Sequence, residues 1–303
     1  MKLASIDIGS NAVRLLLSDV YEGPSSQGKS KNIPVFKKAE LVRIPLRLGE
    51  DAFTAGRISK EKINKLVFAM KAFRNLMDAF DAYSYRACAT ASMREAKNSQ
   101  EIIKRIWREA KIKVELIDGK TEAGIIYSNH VEKSLSKKNS YLYIDVGGGS
   151  TELTLFSKGK CLASQSFNIG TIRLLYNKVN KEYWDYFKAW VKLETKNTKP
   201  LIAIGSGGNI NKLYKMSEKK NSKSVSYKKL KLLAEKIESY NYNKRIQVLG
   251  LHADRADVIV PASKIVLAIM KTAGIDEMIV PKIGLADGLI HELYEVYRRN
   301  KKR

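Results

Sequence analysis

Apolar residues along this chain recur with two different periods. Near the N-terminus they form short β-branched runs. Lys2 to Gly9, Ala12 to Tyr21 and Val35 to Leu46 predict strands, the last segment supplying one strand or two. The period then lengthens. Ile63, Leu66, Val67, Met70, Phe73, Met77 and Phe80 share one stripe and predict a helix over Ser59 to Asp81. Strands at Tyr83 to Ala89 and Lys113 to Ile117 flank a helix at Gln100 to Lys111. A helix over Thr121 to Leu135 ends in the polar linker Ser136-Lys137-Lys138-Asn139-Ser140. At Tyr141 the pattern begins again: two strands, a third near Cys161 to Asn168, helices at Thr171 to Lys178 and Lys181 to Thr195, and a strand ending at Gly205. Helices near Lys228 to Tyr240 and Asp257 to Thr272, a strand at Met278 to Val280 and a helix from Ala286 complete the second cycle.

The two cycles open alike. Ile6-Asp7-Ile8-Gly9-Ser10-Asn11 returns as Ile144-Asp145-Val146-Gly147-Gly148-Gly149-Ser150-Thr151-Glu152. Each copy lies between two β-branched runs and reads as strand, tight glycine-rich turn, strand. Glycine lets backbone approach a ligand closely, and successive turn amides form an anion-binding nest. Asp7 and Asp145, at the strand ends, can hold a metal or a water. One Asp-x-Gly after a strand is a common turn. A second copy with three glycines, and a third turn at Gly205-Ser206-Gly207-Gly208-Asn209, together point to a phosphate site.

Composition narrows the chemistry. A chain of 303 residues suggests about two domains. No run approaches the ~18 apolar residues of a membrane span. The N-terminus enters a strand directly, with no signal-peptide pattern. Cys88 and Cys161 are expected as free, buried thiols in a reducing cytoplasm. With His130, His252 and His291 they give no zinc spacing. A metal here should be a hard ion on carboxylates and phosphate oxygens, magnesium or else manganese. The net charge of +24 favours anionic partners. Much of it sits at Lys215 to Lys231 and at Arg298, Arg299, Lys301, Lys302 and Arg303. No nucleic-acid-binding motif accompanies it.

Two halves opening with the same hairpin resemble the sugar kinase, actin and heat-shock ATPase superfamily. That implies an α/β fold of two actin-like (ribonuclease H-like) domains with an interdomain cleft, at residues 1–123 and 124–290, with the helix at 291–303 packing back on the first. Fold alone leaves the activity open. Further motifs resemble one branch, the exopolyphosphatase and guanosine pentaphosphate phosphatase family. Asp7 to Asn11 and Asp145 to Leu153 look like its two phosphate motifs. Arg47-Leu48-Gly49-Glu50 and Arg255-Ala256-Asp257 look like two further segments. Ala89-Thr90-Ala91-Ser92-Met93-Arg94-Glu95-Ala96-Lys97-Asn98 is similar to its most discriminating signature. Glu122-Ala123 sits where the family has Glu-Glu-Ala. The chain departs at Thr121, at Gly124 and Ala286, where arginine is usual, and in ending without the helical C-terminal domains of long members.

The resemblance implies a magnesium-dependent hydrolase of phosphoanhydrides. Such a reaction needs donors for phosphoryl oxygens, a cation and an in-line water with a base. Gly9, Ser10, Asn11, Gly147, Gly148, Gly149, Ser150, Gly207 and Gly208 are the candidate phosphate binders. Arg94 is the candidate phosphate clamp. Asp7, Asp145 and Glu152 are the candidate magnesium ligands. Glu122 is the candidate general base, with Glu152 as its alternative. The leading substrate is inorganic polyphosphate, cleaved from its end. Guanosine pentaphosphate is the rival substrate, and a low-turnover alarmone- or nucleotide-binding regulator is a third reading. A small-molecule kinase is disfavoured by the Arg94 and Glu122 pattern. No membrane and no specific nucleic acid is an expected partner, and a homodimer stays open.

The lysine cluster yields a test. If a long polyanion lies along it, neutralising Lys219, Lys220, Lys223 and Lys228 raises KM for long polyphosphate and flattens its salt dependence, leaving guanosine pentaphosphate unaffected. Attraction of this kind is screened beyond about 10 Å at 0.1 M salt. Equal KM values on long chains at low salt would return the cluster to a solvated surface.

Overall fold

The computed structural model describes residues 1–22, 34–127, 139–217, 224–281 and 283–301. The chain divides into two units, Met1–Ile117 with Leu285–Arg303, and Asp118–Gly284. The break points lie a few residues before the expected 123/124 and 290/291 boundaries, at the starts of two helices.

In unit 1 the elements are β1 (Lys2–Ile8), β2 (Val13–Glu22), β3 (Pro34–Ile44), α1 (Leu48–Thr54), α2 (Lys60–Ala79), β4 (Ser84–Ala89), α3 (Ala91–Glu95), α4 (Ser99–Ala110) and β5 (Val114–Leu116). Unit 2 continues with α5 (Gly119–Tyr127), β6 (Ser140–Val146), β7 (Thr151–Ser157), β8 (Lys160–Phe167), α6 (Thr171–Leu175), α7 (Lys181–Thr195), β9 (Leu201–Ser206) and α8 (Gly208–Ser217). It ends with β10 (Ser224–Ser226), α9 (Tyr227–Ser239), α10 (Tyr242–Gln247), α11 (Ala253–Ala256), α12 (Ile259–Ala273) and β11 (Glu277–Ile279). The last helix, α13 (Leu285–Lys301), belongs to unit 1.

The first sheet runs β3-β2-β1-β4-β5 and the second β10-β11-β9-β6-β7-β8. Reversed and without β10, the second order is the first: three antiparallel strands, then two parallel additions. Each unit is therefore an α/β domain of the actin-like type. β1 is buried over almost its whole length, as a strand covered on both faces should be. One of its coverings is α13, whose Ala286, Ile290 and Tyr294 share a cluster with Leu3, Leu16 and Val20. In unit 2, α12 lies in the core, with Ile259, Ile265, Val266, Ile269 and Met270 all fully buried.

Several expectations are adjusted. The helix expected to run to Lys178 ends at Leu175, because Asn177 takes a left-handed conformation with φ 52°. The helix expected over Thr121 to Leu135 is described as far as Tyr127. Its continuation, His130, the linker residues 136–138, Lys219, Lys220, Lys223, Lys302 and Arg303 lie outside the described residues. Cys88 is buried as expected, and burial pushes its thiol up to about 12. Cys161 is exposed, because edge strand β8 turns it to solvent. Among the described residues no helix is long and apolar enough to cross a membrane.

The Asn98 of the discriminating motif is structural. Its amide accepts from Ile58 N at 3.1 Å and donates to Ile58 O at 2.9 Å, pinning the chain ahead of α2. Asn98→Ala leaves both buried groups unpaired and should cost about 1–3 kcal/mol. Urea unfolding at equilibrium measures this, and an unchanged midpoint would contradict it.

Candidate active site

In unit 2 the glycine turn is shaped from behind. Gly147 O accepts from Thr171 N at 3.0 Å, Gly148 O from Ile172 N at 2.9 Å, and Gly149 O from Arg173 Nε at 2.6 Å. Three successive carbonyls are thus tied to α6. A trans peptide is planar, with its N–H opposed to its C=O. The amides of Gly148, Gly149 and Ser150 must then point away from α6 together, as an anion nest requires. Gly147 N closes the turn onto Ser150 O at 2.9 Å. Thr151 Oγ1 donates to Ile169 O at 2.5 Å and fixes the approach to α6.

This contact explains Gly170, which the sequence pattern did not single out. A Cβ there would meet Gly148 O at 2.4 Å and the carbonyl carbons of Gly148 and Gly149 at 2.5 Å. The signal was available as Asn168-Ile169-Gly170-Thr171, a glycine between a strand and a helix.

The carboxylates follow from register. Asp145 pairs with Glu152 across β6 and β7, and with Ser206 across β6 and β9. Glu152 pairs in turn with Ser166 on β8. Cross-strand partners share a face, so Ser206, Asp145, Glu152 and Ser166 form one polar row. Ser166 Oγ donates to Glu152 Oε1 at 2.8 Å. The third glycine turn meets the same row. Gly207 sits at φ +100°, where a Cβ would lie 3.0 Å from Asp145 Oδ1 and 2.7 Å from Val146 O. Arg255 Nη1 donates to Gly208 O at 3.2 Å. Burial, with Lys215 and Arg255 nearby, holds the Lys212 amine below its usual range. Lys212 therefore joins the positive surroundings of this turn, a role no sequence pattern assigned.

Glu122 belongs to the same unit. Asp118 caps α5 by accepting from Thr121 N at 2.7 Å. The helix then lies so close to β8 that a Cβ on Gly119 would meet Ser166 Oγ at 2.3 Å and stand 3.8 Å from Glu152 Oε1. Residues three apart share a helix face. Glu122, 9% exposed, is thereby set on the side of α5 that faces the Glu152 row.

Unit 1 repeats the design with other parts. Ser10 O accepts from Gly49 N at 2.8 Å and Asn11 O from Arg47 N at 3.0 Å, so this turn is also tied back to a helix start. Arg47 is left-handed, with φ 51°. Lys62 holds it there, donating to Arg47 O at 3.0 Å, Glu50 at 3.0 Å and Asp51 at 2.6 Å. Parallel pairing sets Ile8 beside Ala89, which brings Thr90 to Arg94 next to the Gly9 turn. Thr90 N donates to Ile8 O at 3.2 Å, and Arg94 Nη1 to Ile117 O at 2.8 Å.

The partner of Asp7 differs from that of Asp145. Arg14 faces it in register, and the pair bonds at 2.6 Å between Nη1 and Oδ2. Asp145 and Glu152 are instead like charges placed directly opposite, an arrangement that is unfavourable unless something positive joins it. Two carboxylates beside a turn of aligned amides are the donor type that would suit magnesium, an ion that keeps several waters and shares phosphate oxygens. Among the described residues no group of three or more His, Cys, Asp or Glu side chains gathers as a metal cage.

The profile of the Ppx/GppA phosphatase family matches residues 35–296. The chain belongs to this family. A bifunctional 3-dehydroquinate synthase/phosphatase of Fusobacterium nucleatum is 29% identical over 91% of the chain and 44% of that protein. A guanosine-5'-triphosphate,3'-diphosphate pyrophosphatase of Aeromonas hydrophila is 25% identical over 96% of the chain and 59% of that protein. The chain thus spans about half the length of these two relatives. It covers 91% of a putative exopolyphosphatase of Haemophilus influenzae, at 24% identity over 96% of the chain. The structure of a Cytophaga hutchinsonii exopolyphosphatase has the same fold, with a TM-score of 0.84, 24% identity and 98% of each chain covered. The Aquifex aeolicus Ppx/GppA family member gives 0.72, 25% identity and 99% of each chain.

Two glycines of this Ppx/GppA family chain should respond oppositely to alanine. Gly170→Ala forces the nest to move and should destabilise by about 1–3 kcal/mol. A Cβ on Gly124, within α5, meets nothing within 4 Å, so Gly124→Ala should stabilise by about 0.5–1 kcal/mol. Urea midpoints compare them, and equal midpoints for the two variants would refute the account of both positions.

Proposed function

We propose that this chain is a magnesium-dependent phosphohydrolase that releases the terminal phosphate of inorganic polyphosphate. The observation that carries the reading is the tied-back turn at Gly147 to Ser150, beside the Asp145–Glu152 pair. It offers a row of amides to phosphoryl oxygens and two hard ligands to a cation in one place. Such fixed donors act where charge develops in the transition state.

The remaining roles follow. Asn11 and Ala12 amides, with the Ser10 and Asn11 side chains, form a second set of phosphate donors. Gly207 and Gly208 bring a third turn to phosphate, with Lys212 and Arg255 adding positive potential. Arg94 clamps a terminal phosphate through two parallel bonds. Asp145 and Glu152 hold magnesium, which when bound neutralises charge on the phosphoryl oxygens. Asp7, first expected as a third ligand, is better used in orienting Arg14. Glu122 takes the proton of the attacking water, with Glu152 as the alternative base. Two free cysteines, one exposed, suit a reducing cytoplasm.

Guanosine pentaphosphate is the second reading, favoured by the name of the Aeromonas relative. Phosphate release from both substrates, measured side by side with magnesium, decides between them. Release from neither would remove the hydrolase reading.

Glu122→Gln should lower kcat by about 10²–10⁴-fold with KM little changed, as for loss of a general base. A twofold loss would move the base role to Glu152. Arg94→Ala should raise KM and lower kcat together, because a clamp acts in ground and transition states alike.

A further inference from the structure

Arg173 is a charged residue that the reaction as set out above does not use. It is only 8% exposed, yet it sits on α6 behind the glycine turn. Removing a guanidinium from water is costly unless strong hydrogen bonds offset it. One such bond runs from Nε to Gly149 O at 2.6 Å, the shortest of the three that tie the turn back. The other two donors are neutral backbone amides.

We infer that Arg173 is a positioning residue that polarises the Gly149–Ser150 peptide and so strengthens the Ser150 N–H as a phosphate donor. This rests on the hydrolase reading above. The carbonyl that accepts from Arg173 and the N–H of Ser150 belong to one planar peptide, at opposite ends of its dipole. A charged donor on the oxygen withdraws electron density through the amide, and hydrogen bonds in series reinforce one another. Charge-assisted bonds are roughly twice as strong as neutral ones. Ser150 N–H therefore differs from the Gly148 and Gly149 amides, whose peptides are held by neutral donors. Its advantage grows as negative charge builds on the phosphoryl group, so the effect falls on kcat more than on KM.

The test uses the full chain and two readouts. The first is the amide nitrogen resonance of Ser150 in perdeuterated, 15N-labelled protein without substrate. In Arg173→Met it should move upfield, because its carbonyl loses the charged donor, while the Gly148 and Gly149 resonances move much less. The second is turnover of inorganic tripolyphosphate with magnesium. Here kcat should fall about 10- to 100-fold, short of the ~10²–10³-fold that deleting an oxyanion donor costs, and KM should change less than threefold. If Arg173→Met does not fold, Arg173→Gln keeps a side-chain donor without the charge and is read the same way. An unmoved Ser150 resonance, or an unchanged kcat, overturns the inference. Wild-type protein that does not hydrolyse tripolyphosphate removes the hydrolase reading instead, and the Ser150 resonance alone then decides whether Arg173 polarises the peptide.

Discussion

The site depends on where peptide carbonyls are sent. A glycine-rich turn can present either oxygens or hydrogens to a ligand, and glycine alone does not choose. In this chain the choice is made from outside each turn. The start of α1 takes the carbonyls of Ser10 and Asn11, and the start of α6 takes those of Gly147 and Gly148. A helix start carries unsatisfied N–H groups that must find acceptors. The turn carbonyls supply them, and planarity sends the turn amides the other way. One constraint thus satisfies two sets of backbone groups and turns the amides of each turn to one side.

This arrangement explains residues that lie outside the turns themselves. Gly170 is bare because the α6 start must lie against the Gly148 and Gly149 backbone. Arg47 is left-handed, a conformation that costs an L-residue roughly 1–2 kcal/mol, at the point where the chain passes from the Arg47 N–H bond to Asn11 O into the Gly49 N–H bond to Ser10 O. Lys62 stabilises it by bonding the same residue's carbonyl. Gly119 lets α5 rest on Ser166, and so fixes how Glu122 stands to the Glu152 row.

Much of this was legible in the sequence. The repeated Asp-x-Gly hairpin announced two related sheets, because strand and turn propensities are local. The stripe from Ile63 to Phe80 announced α2 for the same reason. The short helices α1, α3 and α6 were harder to read. They span seven, five and five residues, too few for a stripe to stand out. α8 was missed because it starts directly from the glycine turn, and its buried face carries only Ile210, Leu213 and Tyr214 as apolar residues, flanked by polar Asn209 and Ser217. The roles of Gly170, Arg173 and Lys212 depend on contacts between segments far apart in sequence, which no local pattern encodes.

The opposite partners of Asp7 and Asp145 bear on why the two sheets share one chain. In matching positions, one aspartate faces Arg14 and the other faces Glu152. A symmetric pair of identical domains could not do this. Each position would be the same in both copies, giving two ion pairs or two carboxylate pairs. Joined in one polypeptide, the copies are free to diverge. One half sets a guanidinium across from its aspartate, while the other sets a second carboxylate there. Fusion of the two copies is thus what lets matching positions on a duplicated frame carry opposite charges.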